Sequence, residues 1–184
     1  MTITRTCLAA SLLLLLSAGA ASADQNDSRL DKLFLIIQQT DDPEVANNAE
    51  NKIWEIWVQH DNIRTQERLA EGIVAMDNNP RKALRIFNEL IEDVPDFAEG
   101  WNKRATLYYL FGEYAASASD IEKTLLLEPR HFGALSGLGL VYLAQNQYLR
   151  AKSVFEAVLL IHPHSSGVRQ NIELIDDYVR RNTI

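Results

Sequence analysis

The sequence predicts an all-α fold, a right-handed solenoid of helical hairpins ending in a C-terminal capping helix. Three observations predict it. Three of the 5 prolines stand at Pro95, Pro129 and Pro163, two successive spacings of 34 residues, and self-similarity at a fixed period of this size marks a chain built from one repeated supersecondary unit. Apolar residues recur in phase with those prolines and at helical spacing. The chain has 184 residues and 47% hydrophobic content, which leaves room for one domain and is too apolar for disorder.

Taken in order, residues 1–23 read as a secretory signal peptide. Arg5 precedes an apolar run from Leu8 to Ala18, and Ala21-Ser22-Ala23 supplies an A-x-A site with the cut between Ala23 and Asp24. The run is shorter than the roughly 20 residues a spanning helix needs, so the exported product is expected to have no membrane span. Residues 24–63 form an N-terminal segment with a degenerate hairpin. Leu33, Ile36 and Ile37 lie on its first helix, Asp41-Asp42-Pro43 at its turn, and Ala49, Ile53 and Ile56 on its second helix beside Trp54 and Trp57. It is expected to stack in line with the units that follow, making one continuous solenoid.

Three units then run without a gap: 64–97, 98–131 and 132–165. The second carries Trp101, Ala105, Tyr108, Gly112, Tyr114 and Pro129, and the third Leu135, Leu138-Gly139, Tyr142, Tyr148, Ala151, Phe155, Val158 and Pro163 in the same register. The first matches in its second helix, through Ala83, Phe87, Leu90 and Pro95, and weakly in its first. Each proline ends a helix because it lacks an N–H and clashes with the preceding turn. Residues 166–184 form the cap, where Val168, Ile172, Ile175 and Val179 share one helical face.

Charge and cysteine usage exclude several chemistries. With 18 Lys+Arg against 25 Asp+Glu the net charge is −7, the wrong sign for neutralising phosphates, so no nucleic-acid partner is expected. Cleavage of the signal peptide would remove Arg5 and the 1 cysteine, Cys7, taking −7 to −8 and leaving no thiol for disulfides, catalysis or metal binding.

The three in-phase units resemble the tetratricopeptide-repeat family. The segments from Phe97 to Ala105 and from Pro129 to Gly139, with Ile53-Trp54-Glu55-Ile56-Trp57, are similar to small secreted members from alphaproteobacteria. The resemblance implies a groove lined by the first helix of each repeat, a periplasmic home and a part in maintaining the cell envelope. In the family the second, fifth, ninth, twelfth and thirteenth places face the groove. Here they are Thr65, Arg68, Gly72, Ala75 and Met76; Glu99, Asn102, Thr106, Tyr109 and Leu110; and Gly133, Ser136, Leu140, Leu143 and Ala144. This lining is small and apolar. Only Arg68 and Asn102 come near the cationic pattern with which some members clamp a C-terminal carboxylate. The expected occupant is another protein or peptide segment of the cell envelope, the chain's own N-terminal hairpin, or a second copy in a homo-oligomer. Arg104 and Asp120 stand where some repeats place an ion pair across the two helices, a structural role.

Catalytic and metal readings find little support. His162 and His164 flank Pro163 without an evident third ligand, and His60 and His131 read as loop residues. Ser117, Ser119, Ser136 and Ser153 lie inside the repeat pattern with no nucleophile elbow. Adjacent acids such as Asp41-Asp42 and Asp176-Asp177 diverge on a helix and do not converge on a substrate. The expectation is a non-enzymatic periplasmic interaction protein without a cofactor or metal. The alternatives are a self-associating structural protein and, more weakly, a periplasmic hydrolase.

Overall fold

The computed structural model describes residues 24–182; the expected signal peptide and the last two residues of the C-terminal segment lie outside the described residues. Among the described residues there are nine α-helices and no strand: α1 (Arg29–Gln39), α2 (Pro43–Trp57), α3 (Ile63–Asn78), α4 (Pro80–Asp93), α5 (Ala98–Leu110), α6 (Tyr114–Leu127), α7 (Phe132–Ala144), α8 (Tyr148–Ile161) and α9 (Ser166–Asn182). They pair as α1–α2, α3–α4, α5–α6 and α7–α8, with α9 packed on α8.

The 34-residue period is visible in the backbone bonds themselves. Just before the three prolines, the N–H groups of Val94, Glu128 and His162 bond the carbonyls of Leu90, Thr124 and Val158, closing α4, α6 and α8 in the same way. The turns inside the second and third hairpins also match. Glu113 N–H reaches Tyr108 O at 2.8 Å and Gln147 N–H reaches Tyr142 O at 2.8 Å, each wrapping a left-handed residue, Gly112 (φ 77°) or Asn146 (φ 58°). Glycine and asparagine are the residues that accept this conformation at the end of a helix.

Packing within a hairpin depends on a small residue opposite a large one. At Gly139 an added Cβ would lie 2.4 Å from the Phe155 ring, and at Gly72 2.3 Å from the Phe87 ring. These contacts correct the register expected for the first unit. Gly72 is not a groove residue; it takes the close-approach role that Ala105 and Gly139 have in the later units. The reason lies in the turn. Asn79 alone separates α3 from α4 and caps α4 through its side chain at Lys82 N–H, so α3 slips by one residue while α4 stays in phase.

The N-terminal hairpin is a second correction. It does not extend the solenoid in line, since α2 barely touches α3 while α1 packs against α8. One apolar cluster joins Leu30, Phe34, Ile53 and Trp57 to Phe132, Phe155, Val158, Val168 and Ile175, whereas α3 and α4 form a separate cluster around Leu69, Phe87, Leu90 and Phe97. The hairpin lies along the edge formed by the three proline turns and is pinned to each. Gln25 Nε2 donates to Asp96 O at 2.7 Å at the first, Arg130 donates to Asp31 Oδ1 at 2.7 Å at the second, and His164 Nε2 donates to Thr40 O at 2.8 Å at the third. The two tryptophans of α2 find flat aromatic partners on this edge in His131 and Phe132; α3 by contrast exposes Arg64, Glu67 and Glu71.

Candidate functional site

The groove is built where α5 and α7 run side by side. Asn102, Thr106 and Tyr109 project from α5 and Ser136 and Leu140 from α7, and these five expected groove residues, with the expected Gly133, line one cavity of about 190 Å³. None of its lining side chains is charged at neutral pH. Its serine and threonine hydroxyls are turned inward: Thr106 Oγ1 donates to Asn102 O at 3.0 Å, Ser136 Oγ to Phe132 O at 2.7 Å and Ser117 Oγ to Ala105 O at 2.8 Å. What the cavity offers a ligand is apolar surface, hydroxyl lone pairs, the Asn102 amide and the Tyr109 phenol.

Four further expected groove residues lie elsewhere. Leu110 is 62% exposed and lies outside the cavity. Arg68 is drawn out by the slip of α3 and pairs with Asp93 on α4, and Met76 packs against the α3–α4 core. Leu143 lines a neighbouring recess of about 200 Å³ with Tyr148, Leu174 and Tyr178. The phenol rings of Tyr148 and Tyr178 are 4.2 Å apart, and Leu174 is 61% exposed. Leu174 and Tyr178 were legible in principle. Carried one unit further, the register puts them at the ninth and thirteenth places of α9, so the cap continues the groove and its outer side is not wholly polar.

At its proline-turn end the groove is closed by the chain itself. The Trp54 indole occupies the space a side chain at position 133 would fill, 2.4 Å from a Cβ built on Gly133, and Lys103 Nζ lies 5.5 Å from the centre of that indole. Beneath it Glu99, expected in the groove, is wholly buried. Its carboxylate receives Asn102 Nδ2 at 2.9 Å, contacts His131 Nε2 at 3.0 Å and pairs with Lys103 at 2.8 Å. Burial alone would raise its pKa; the Lys103 charge and the His131 bond outweigh it and hold the carboxyl below the usual glutamate range.

His131 stands in the turn before α7, outside any helix, yet it is not a free loop residue. It is wholly buried and caps α7: its Nδ1 accepts Ala134 N–H at 3.1 Å, so Nε2 carries the proton and donates to Glu99. His162 is also buried, with Nε2 2.9 Å from Glu50 Oε2; that bond holds the Glu50 carboxyl below its usual range. His131, His162 and His164 therefore fasten the hairpin, and among the described residues no cluster of three or more His, Cys, Asp or Glu is placed to hold a metal.

Arg104 lies behind the groove floor. Its Nε and Nη2 donate to Asp120 at 2.7 and 2.8 Å, Nη1 donates to Asn88 Oδ1 at 2.9 Å, and the guanidinium lies 4.9 Å from the Trp101 ring centre. One side chain thus joins α4, α5 and α6. The Asp120 hydrogen bonds raise its pKa further, fixing the charge.

No protein-family model matches the chain. A TPR repeat-containing protein of Rhizobium etli is 33% identical over 156 residues, covering 84% of this chain and 76% of that protein. Among solved structures, the Sgt2 TPR domain of Aspergillus fumigatus superposes with a TM-score of 0.61 at 21% identity, over 66% of this chain and 83% of that one. The first TPR domain of Spaghetti (RPAP3), bound to the HSP90 peptide SRMEEVD, gives a TM-score of 0.61 at 18% identity, over 65% of this chain and 96% of that one.

Proposed function

Because the chain belongs to the tetratricopeptide-repeat family, a family of protein-interaction scaffolds, we propose that it binds an extended, uncharged segment of another protein in the α5–α7 groove, without catalysis. The observation that carries this reading is the uncharged cavity, into which five side chains from two repeats converge. The peptide held by the Spaghetti domain is acidic. Here the nearby cations are engaged, Lys103 by Glu99 and Arg104 by Asp120, so an acidic chain end entering this groove would be desolvated without a partner. An internal apolar stretch fits better.

The leader-like residues 1–23 support a periplasmic home, and with it a partner in the cell envelope. N-terminal sequencing of the protein purified from the periplasm should begin at Asp24; recovery only from the cytosol with an intact N-terminus would overturn the location. The groove is tested by placing a photoreactive residue at Tyr109 and, as control, at Leu126, which is 75% exposed on α6. A crosslinked partner at Tyr109 that disappears with Thr106→Arg supports the groove. Crosslinking at Leu126 but not at Tyr109 would refute it.

A further inference from the structure

A larger cavity lies away from the groove. Between α1 and α2, on the hairpin's outward face, runs a cleft of about 660 Å³ whose floor is Leu33, Ile36 and Ile56. Its α1 wall repeats at positions 29, 32, 33 and 36 and its α2 wall at 52, 55 and 56, the spacing of a helix face on both sides, with Gln59 just past the end of α2. The cleft has the form the fold itself uses to seat a helix. In the repeats, α5 packs against both α3 and α4, and α7 against both α5 and α6. Among the described residues no helix lies between α1 and α2 in this way, because the hairpin has left the line of the solenoid.

Its charge is unlike that of the rest of the chain. Lys32 on one wall and Lys52 on the other are exposed and, among the described residues, have no acidic partner. Arg29 is already held by Asp27, through Nη2 at 2.6 Å, and Glu55 is the one acid in the lining. Two unspent lysines therefore face each other across an apolar floor on a chain whose net charge is −7. A flat membrane surface would meet only the rims of such a cleft, whereas a helix would fill it.

We propose that the α1–α2 cleft is a second docking site, distinct from the groove, for an amphipathic helix of a partner protein whose apolar face is flanked by Asp or Glu on both sides. The apolar face lies on Leu33, Ile36 and Ile56, and the flanking carboxylates pair with Lys32 and Lys52.

The test uses two synthetic amphipathic helices with the same apolar face, one flanked by Glu and one by Lys, titrated into the purified chain by fluorescence anisotropy. The Glu-flanked helix should bind about tenfold or more tighter than the Lys-flanked one. The double variant Lys32→Glu/Lys52→Glu, with unchanged circular dichroism, should reverse that preference, while Thr106→Arg in the groove leaves it intact. Equal binding of the two helices, or no effect of the double variant, overturns the proposal. So does loss of binding in Thr106→Arg alone, which would put the helix in the groove. Lysine-dependent binding to vesicles of phosphatidylglycerol and phosphatidylcholine, with no helix binding, would assign the cleft to a membrane. Self-association lost in the double variant would assign it to a second copy.

Discussion

The Trp57 indole and the His131 imidazole stack with centroids 3.9 Å apart and planes inclined by 11°, although one belongs to the N-terminal hairpin and the other closes the second repeat. The contact joins parts of the molecule that meet only when the chain is folded. His131 also caps α7 and donates to Glu99, so one imidazole supports a helix end, a buried carboxylate and the docked hairpin.

Replacing His131 with alanine removes the cap and leaves Glu99 short of a donor. Loss of a cap costs about 1 kcal/mol and an unsatisfied buried group about 1–3 kcal/mol, so His131→Ala should lower stability by roughly 2–4 kcal/mol. Urea unfolding followed by circular dichroism measures it. A loss below about 1 kcal/mol would mean that the hairpin does not depend on this residue.

Gly133→Val tests the docking of the hairpin directly. The new Cβ would stand 2.4 Å from Trp54, and the indole cannot yield without leaving Phe132, 5.3 Å away centroid to centroid. The expected result is a red-shifted tryptophan emission and faster proteolysis in the 58–62 linker, with the repeats still helical. Unchanged emission and cleavage would show that Trp54 has room to move.

Arg104→Leu leaves Asp120, 4% exposed, without its guanidinium. Breaking one partner of a buried pair costs about 3–5 kcal/mol, whereas replacing both with apolar residues is often neutral. The variant should fold with reduced stability, and Arg104→Leu/Asp120→Leu should recover most of the loss. A double variant as unstable as the sum of the two single ones would assign the residue more than an ion-pairing role.

The hairpin should loosen in acid. The carboxyls of Glu50 and Glu99 titrate lower in the folded chain than in the unfolded one: His162 holds the first, and Lys103 and His131 overcome burial at the second. Their contribution is fully present above the ordinary glutamate pKa of about 4.3 and is lost as the pH falls through the lower folded values. The urea midpoint should fall steadily below about pH 4, and Glu99→Gln should flatten that fall while lowering the midpoint at neutral pH. An equal slope with and without Glu99 would remove it from the linkage.

Much of the repeat architecture was legible because proline acts locally. Pro95, Pro129 and Pro163 stop a helix wherever they occur, and Gly139 or Ala105 opposite a large residue is a short-range pattern. Six residues of the α5–α7 cavity stand at places that the same register marks. The slip of α3 was not read, although Glu71 in the small place and Gly72 beside it carried the signal. Nothing local placed the hairpin. Trp54, Trp57 and Glu50 acquire their meaning only from Gly133, His131 and His162, which lie far along the chain. Histidines beside proline turns look like loop residues until an aromatic partner arrives from elsewhere.

The shared core of α1, α2, α7, α8 and α9 sets an order of events during synthesis. A simple solenoid can fold from its beginning, each unit resting on the one before. Here the hairpin is made before the repeats, while the surfaces that shelter Trp57, Phe34 and Ile53 follow it late in the chain. Those side chains stay uncovered until the third repeat and α9 have been made, so the molecule matures by closure of its first segment onto its last, a long-range step that is slow and exposed to aggregation.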